Sequence, residues 1–249
     1  MALIQPFRGV RPRKDLARLV AAPPYDVLTS EEARELAAGN PYSFLHVGKP
    51  EIDLPPGTDL YADAVYAKGK ENFDRFLREG TIAQDATPDF YIYKQAWGDH
   101  VQIGLVAAAS CQDYLDNVIK KHELTRVDKE NDRMRHIETL GAQTGPVFLT
   151  YRQNGAIDAL VAEGMKKPPE VDITTYDGVR HIVFVVDGRG LVGRIKDAFS
   201  ELANLYVADG HHRSAAATRI KVKRDRERPG RTGREEDNFF RPSSFPTTR

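Results

Sequence analysis

Apolar residues recur three and four positions apart in several parts of the chain. This spacing predicts helices over about 30–38, 59–79, 128–140 and 214–226, the last of them rich in alanine. Thr29 or Ser30 is placed to cap the first helix, and a glycine follows each of the first three. The pattern therefore predicts a large helical component.

Runs of aromatic and β-branched residues predict strands between these helices. They cover about 90–95, 101–109, 147–151, 171–176, 180–186 and 205–208. The first two are separated by a short turn and indicate an antiparallel hairpin, and Asp177-Gly178 is a strong turn signal for a second hairpin. Antiparallel hairpins combined with several helices predict an α+β fold with a mixed sheet.

Composition narrows the class of protein. The chain has 249 residues, 41% of them hydrophobic, which is enough to bury a substantial core. Its formal net charge is zero, and no helix-turn-helix is recognisable, so nucleic acid is not an expected partner. Cys111 is the single cysteine, which excludes an internal disulfide and suits a reducing compartment. No apolar run approaches the length of a membrane span, so we expect a cytoplasmic protein without a membrane partner.

The chain divides, on sequence, into three parts. Residues 1–103 are expected to form an N-terminal α/β portion packed on a core of residues 104–232. The last part, residues 233–249, is dense in charge, glycine and proline at its start and shows no helical or strand period, which predicts a disordered tail.

The most informative motif is a strand followed by Asp209-Gly210-His211-His212-Arg213 and a helix. A glycine lets the backbone approach an anion, and the first turn of a helix offers unpaired N–H groups and a positive dipole end. Arg213 can grip phosphate oxygens with its planar fork. Asp209 has three candidate roles: helix cap, histidine partner, or ligand of a phosphate-bound magnesium ion. The alternative interpretation of the whole motif is an ordinary capped helix with solvated histidines.

A second charged motif runs from Lys120 to Arg126 and contains His122-Glu123. An ionised carboxylate within reach of a hydroxyl can act as its general base, which is the role considered for Glu123. Lys120, Lys121 and Arg126 could neutralise phosphate charge. Taken alone, such a run is more often a solvated surface segment.

Two other patterns are set aside. Residues 188–193 have the glycine spacing of a dinucleotide-binding loop, but the strands before them are predicted to form a hairpin rather than a parallel unit. His122, Glu123 and His136 do not have the spacing of a His-Glu-x-x-His zinc site.

Four segments together resemble a known family, the domain-of-unknown-function 1015 family, often labelled ParB-like. They are Ala22-Pro23-Pro24-Tyr25-Asp26-Val27, Asn40-Pro41-Tyr42-Ser43-Phe44, Lys120-Lys121-His122-Glu123-Leu124-Thr125-Arg126 and Asp209-Gly210-His211-His212-Arg213. The last two are also similar to motifs of free-serine kinases with a ParB/sulfiredoxin-like fold. That similarity implies a ParB/sulfiredoxin-like core in the C-terminal half of the chain.

The kinase resemblance also implies roles for residues. Glu123, in the catalytic element with His122, corresponds to the base acting on the serine hydroxyl. Asp209, Gly210, His211, His212 and Arg213 correspond to the turn that holds the nucleotide phosphates, with Lys120 and Arg126 in support and Asp209 as the metal ligand. The implied cofactor is Mg²⁺ with ATP or ADP. Lys121 stands where those kinases have proline.

Two function hypotheses from different classes result. The first is a nucleotide-dependent phosphotransferase that acts on a small hydroxyl metabolite, with free serine as the candidate. The second is a ParB-like module that binds nucleotide or nucleic acid for regulation, without catalysis.

The C-terminal sequence differs from that of the family it resembles. Relatives continue with an apolar strand after the element that corresponds to Asn238-Phe239-Phe240, whereas this chain has Arg241-Pro242-Ser243-Ser244. We therefore hypothesise a reading-frame shift or truncation near the C-terminus.

Overall fold

A computed structural model describes residues 1–228, 230, 235–240 and 242–247, and it separates the chain into two compact units. The sheet unit contains residues 1–9, 86–134 and 145–249, and the helical unit contains residues 10–85 and 135–144. This division differs from the predicted boundary at residue 103. The reason is long-range pairing, since strand residues on both sides of 103 join one sheet.

The elements are named in chain order. The strands are β1 Ile4–Gln5, β2 Val10–Pro12, β3 Ile82–Gln84, β4 Phe90–Trp97, β5 His100–Val106, β6 Ala108–Ser110, β7 Ile119–Lys120, β8 Val147–Arg152, β9 Val171–Thr174, β10 Arg180–Val186, β11 Leu205–Asp209, β12 Phe239–Phe240 and β13 Pro242–Thr247. The α-helices are α1 Ala17–Val20, α2 Ser30–Ala37, α3 Leu45–Gly48, α4 Asp63–Arg78, α5 Cys111–Leu115, α6 Val127–Leu140, α7 Gly155–Gly164, α8 Arg189–Ser200 and α9 His211–Glu227. Short 3₁₀ turns cover Lys14–Leu16, Pro50–Asp53 and Glu236–Asn238.

The sheet unit is organised by one large mixed sheet. Over the described residues, its strand order is β7-β11-β8-β13-β5-β4-β10-β9, and a smaller sheet has the order β1-β6-β12. The core includes Phe90, Leu149, Phe199 and Phe240, all fully buried. Helix α7 approaches the sheet closely at Gly164, where a Cβ would lie 2.5 Å from the Ile92 side chain. The mixed α+β class predicted from the sequence is confirmed.

The helical unit is built around α4. Phe73 and Phe76 of this helix are buried with Val20 and Val47, and β2 pairs antiparallel with β3 at one side of the unit. Helix α2 begins with a capping box in which the Thr29 side chain accepts from the Glu32 N–H and the Glu32 carboxylate accepts from the Thr29 N–H. The predicted cap is therefore confirmed.

Several predicted elements are found with shifted ends. The β4–β5 and β9–β10 hairpins form as predicted, and β10 also pairs antiparallel with β4. Helix α4 begins at Asp63 rather than near 59, and α9 begins at His211 rather than at Ser214. The second shift has a local cause, because Gly210 adopts the left-handed conformation that starts the helix earlier.

The C-terminal segment is ordered where it is described. Beyond Asn238, β12 pairs with β6, and β13 lies in the large sheet between β8 and β5. The predicted lack of structure is therefore wrong for residues 236–240 and 242–247. Residues 233, 234, 241, 248 and 249 of the predicted tail lie outside the described residues.

Candidate functional site

Sheet topology brings the two charged motifs together. Strands β7 and β11 are parallel neighbours, with Leu205 opposite Ile119 and Tyr206 opposite Lys120. Parallel strands end at the same edge of a sheet, so the chain leaving Lys120 and the chain leaving Asp209 emerge side by side. The His122-Glu123 segment therefore lies next to the glycine turn.

The turn itself is built around Gly210. This residue is the N-cap of α9 with φ of 89°, a left-handed conformation that glycine adopts without steric cost. A Cβ at this position would lie 3.3 Å from the Cα of Val147 on the neighbouring strand β8. The cap has no side chain to bond the first N–H groups of α9, which leaves them available to an anion.

His211, the first residue of α9, links the two motifs. Its Nδ1 lies 3.2 Å from Oε2 of Glu123, and its ring packs edge-on against His122 with the ring centroids 4.5 Å apart. The residue is 4% exposed. The alternative of two solvated histidines is therefore excluded for His211.

The proton arrangement of His211 follows from its neighbours. Burial lowers the pKa of His211, and the nearby His122 lowers it further, against the opposing effects of Glu123 and Asp209. Nδ1 is the ring nitrogen that faces the Glu123 carboxylate, at 3.2 Å. The other ring nitrogen, Nε2, is buried and has no hydrogen-bond partner among the described residues. Nδ1 of His212 is likewise buried without a hydrogen-bond partner among the described residues.

Arg213 is held on two sides. Its Nη2 donates to Oδ2 of Asp209 at 2.7 Å, and its Nη1 donates to the carbonyl oxygen of Pro146. The side chain also packs on Gly145, where a Cβ would lie 3.1 Å from the Arg213 Cδ. The helix cap is therefore Gly210 and not Asp209, and Asp209 is the ion-pair partner of Arg213.

The loop that carries Glu123 is fastened at both ends. Nζ of Lys121 donates to the carbonyl oxygen of Tyr114 at 2.8 Å and lies 4.2 Å from the centre of the Tyr114 ring. Thr125 donates to the buried carboxylate of Glu130 on α6, whose other oxygen accepts from Arg219 of α9 at 2.8 Å. Through Glu130 and Arg219, the loop is connected to α9, the helix that begins at the glycine turn.

The remaining predicted residues, Lys120 and Arg126, and their neighbour Lys121 each make contacts of their own. Lys120 is the last residue of β7, opposite Tyr206. Arg126 pairs with Asp128 at 2.7 Å on the exposed surface. Lys121 serves as an anchor of the loop rather than as a phosphate ligand.

Sequence reasoning missed several residues that shape the site. Gly145 and Pro146 support Arg213, while Tyr114 and Glu130 hold the loop. Gly145 and Pro146 are distant in sequence from both motifs, whereas Tyr114 lies seven residues from Lys121 and Glu130 lies five residues from Thr125. None of the four carries a motif of its own. Of these residues, only Glu130 could have been suggested by the sequence, because it closely follows Thr125 at the start of α6.

Asp209 is the candidate ligand for a divalent cation at this site. Over the described part of the chain, no group of three or more histidine, cysteine or carboxylate side chains could enclose a metal ion. Asp209 offers one exposed carboxylate at the mouth of the turn, with a side chain that is 66% exposed. Mg²⁺ is commonly held by one or two carboxylates together with substrate phosphates and water, so this single ligand fits a nucleotide-bound ion.

The comparisons with known proteins identify the family. The family model described as "Protein of unknown function (DUF1015)" matches residues 4–249, and the chain therefore belongs to that family. The searches of curated proteins and of solved structures gave no match. Among the described helices, none has the length and apolar character needed to cross a membrane.

Proposed function

We propose that the chain is a nucleotide-dependent phosphotransferase that acts on a small hydroxyl metabolite. The observation that carries the proposal is the 3.2 Å contact between Glu123 and His211. It places a carboxylate beside the first residue of a helix whose N–H groups and dipole favour bound phosphate. A candidate base and a candidate phosphate cradle thus share one edge of the sheet.

The cradle residues would bind the phosphate chain. The N–H groups at the start of α9 face the anion, and Gly210 permits close approach of the backbone. Arg213, with a side chain that is only 13% exposed, adds a planar donor fork whose orientation is fixed by Pro146 and Gly145. Mg²⁺ held by Asp209 and the phosphates would offset negative charge during transfer.

Glu123 would act on the acceptor. The substrate hydroxyl oxygen attacks the terminal phosphorus, the bond from that phosphorus to the leaving phosphate oxygen breaks, and Glu123 takes the hydroxyl proton. His211 lies 3.2 Å from one carboxylate oxygen and would help to position the carboxylate. Positioning of this kind can supply a large part of the rate of phosphoryl transfer.

The finer parts of the proposal come from the motif resemblance. They are a ParB/sulfiredoxin-like core, ATP or ADP as donor and free serine as the candidate acceptor. The nearness of the two motifs supports them, since the resemblance requires both in one site.

The test is a phosphotransfer assay on the full chain. The protein is incubated with ATP or ADP, Mg²⁺ and a panel of hydroxylated metabolites that includes serine, and phosphorylated product is measured. Turnover of one panel member supports the proposal. Nucleotide binding without turnover of any member would favour the regulatory module, and absence of both binding and turnover would remove the phosphate site from the account.

A further inference from the structure

Asp209 and Arg213 form an ion pair at the place where phosphate is expected. Oδ2 of Asp209, which precedes the Gly210 cap, lies 2.7 Å from Nη2 of Arg213 in the first turn of α9. Carboxylate and phosphate oxygens make the same kind of charge-assisted hydrogen bond with a guanidinium fork. The Asp209 carboxylate therefore has the chemistry of the anion that the turn is proposed to hold.

The two partners differ in how firmly they are fixed. The Arg213 side chain is 13% exposed and is set against Pro146 and Gly145, whereas the Asp209 side chain is 66% exposed. Asp209 also lies beside a backbone irregularity, since the pairing of β11 with β8 shifts register between Val207 and Asp209. Of the pair, Asp209 is the member that can turn toward water.

We propose that Asp209 is an internal competitor for phosphate at Arg213. Its carboxylate takes the Nη2 donor, and an incoming phosphate must displace it. This inference rests on the proposed function, because it assumes that the turn binds phosphate, and it adds a means by which that binding is regulated.

The competition couples phosphate binding to divalent cations. A displaced Asp209 carboxylate next to a bound phosphate is a repulsive pair of negative charges, which opposes binding. A cation shared by the carboxylate and the phosphate converts that repulsion into attraction. By linkage, each ligand then raises the affinity for the other by the same factor. Asp209 would thus make the turn select cation-bound nucleotide over free nucleotide.

The test measures binding rather than activity. Inorganic pyrophosphate is titrated by calorimetry into the full chain and into Asp209→Asn, each with and without Mg²⁺. We expect Asp209→Asn to bind metal-free pyrophosphate about tenfold more tightly than the unmodified chain does, and to gain little from Mg²⁺. The unmodified chain should gain about tenfold from Mg²⁺, a factor typical of coupled sites.

A matched control separates this effect from a change in net charge. Asp172→Asn removes a carboxylate from the Arg180 ion pair, which lies on β9 and β10 of the same sheet unit, and it should leave pyrophosphate affinity unchanged. Circular dichroism of each variant checks that it is folded.

The outcomes distinguish this inference from the function on which it rests. Equal or weaker metal-free binding by Asp209→Asn would overturn the competitor role, even if the chain proves to be a kinase. The expected binding pattern without turnover of any acceptor would leave the competitor role standing and refute the phosphotransferase. Failure of every folded variant to bind pyrophosphate in either condition would overturn both.

Discussion

Nδ1 of His211 lies 3.2 Å from Oε2 of Glu123, although the two residues are far apart in the sequence. The parallel pairing of β7 with β11 explains the contact, because both strands end at the same edge of the sheet. One consequence is a division of roles in which His211 positions the carboxylate and Glu123 acts on the substrate.

The first prediction concerns that positioning role. Asparagine can place an N–H near the position of the His211 Nδ1, whereas alanine cannot. We expect His211→Ala to lower phosphotransfer turnover by about 10- to 100-fold, which is less than the roughly 10²- to 10⁴-fold expected for loss of the base itself, and His211→Asn to retain more of it. The measurement is kcat against KM for the acceptor. Equal losses in the two folded variants would contradict a positioning role.

The second prediction concerns the backbone of the turn. Gly210→Ala forces an L residue into φ of 89° and brings its Cβ to 3.3 Å from the Val147 backbone. We expect it to lower the free energy of unfolding by about 2–3 kcal/mol and to weaken pyrophosphate binding. Gly39→Ala is the control, since Gly39 also has a positive φ but no atom within 4 Å of the added Cβ. It should cost about 1 kcal/mol. Equal costs, measured by urea denaturation, would show that the Val147 contact is unimportant.

The third prediction concerns the fastening of the Glu123 loop. The buried carboxylate of Glu130 accepts from Thr125 and Arg219, and Glu130→Gln removes its charge. The Arg219 side chain is partly exposed, so we expect a loss of about 1–2 kcal/mol in the free energy of unfolding rather than the larger cost of breaking a fully buried pair.

Its control lies in the same helical turn. Asp128→Asn also removes a carboxylate from the first turn of α6, so both variants change the helix-dipole interaction alike. Asp128 pairs with Arg126 on the exposed surface, where solvent screens the charges, and we expect a smaller cost for Asp128→Asn than for Glu130→Gln. A Glu130→Gln cost no larger than this would contradict the anchoring role.

The fourth prediction concerns pH and the helical unit. Nδ1 of His46 lies 2.9 Å from Oδ1 of Asp53, and its Nε2 lies 3.1 Å from the carbonyl oxygen of Asn40. Both ring nitrogens thus face acceptors, which favours the doubly protonated ring. The hydrogen bond with Asp53 raises the pKa of His46 above its ordinary value of 6.5, despite the opposing effect of burial.

A raised native pKa fixes the sign of the pH effect. The stabilisation from His46 is fully present below pH 6.5, the unfolded value, and is lost as the pH rises through the higher native pKa. The free energy of unfolding of the unmodified chain minus that of His46→Gln should therefore fall above pH 6.5. His100→Gln, at the exposed start of β5, serves as the control. A difference that is constant from pH 5 to 9 would refute the prediction.

Local sequence signals predicted part of the fold. The Thr29 capping box and the Asp177-Gly178 hairpin depend on neighbouring residues, and both are found. Helix α8 was missed because glycines at Gly188, Gly190 and Gly193 indicate a loop, whereas the structure has a helix that buries Ile195 and Phe199.

Pairing between distant strands accounts for the failure to predict β13. Strand β13 contains Pro242 and Pro246, which lack an N–H and argue against a strand, yet it lies between β8 and β5. No local pattern identifies such partners. The site likewise combines local and long-range features. The glycine turn before a helix could be inferred from the Asp209-to-Arg213 motif, whereas the contact of His211 with Glu123 depends on the pairing of β7 with β11.

The most direct test of the central claim is a paired measurement on Glu123→Gln. Nucleotide affinity and phosphotransfer turnover are determined for the unmodified chain and the variant under the same conditions. We predict that nucleotide affinity stays within about twofold, while turnover falls by about 10²- to 10⁴-fold because the base is lost. Unchanged turnover in Glu123→Gln would contradict the proposal that Glu123 deprotonates the substrate at this turn.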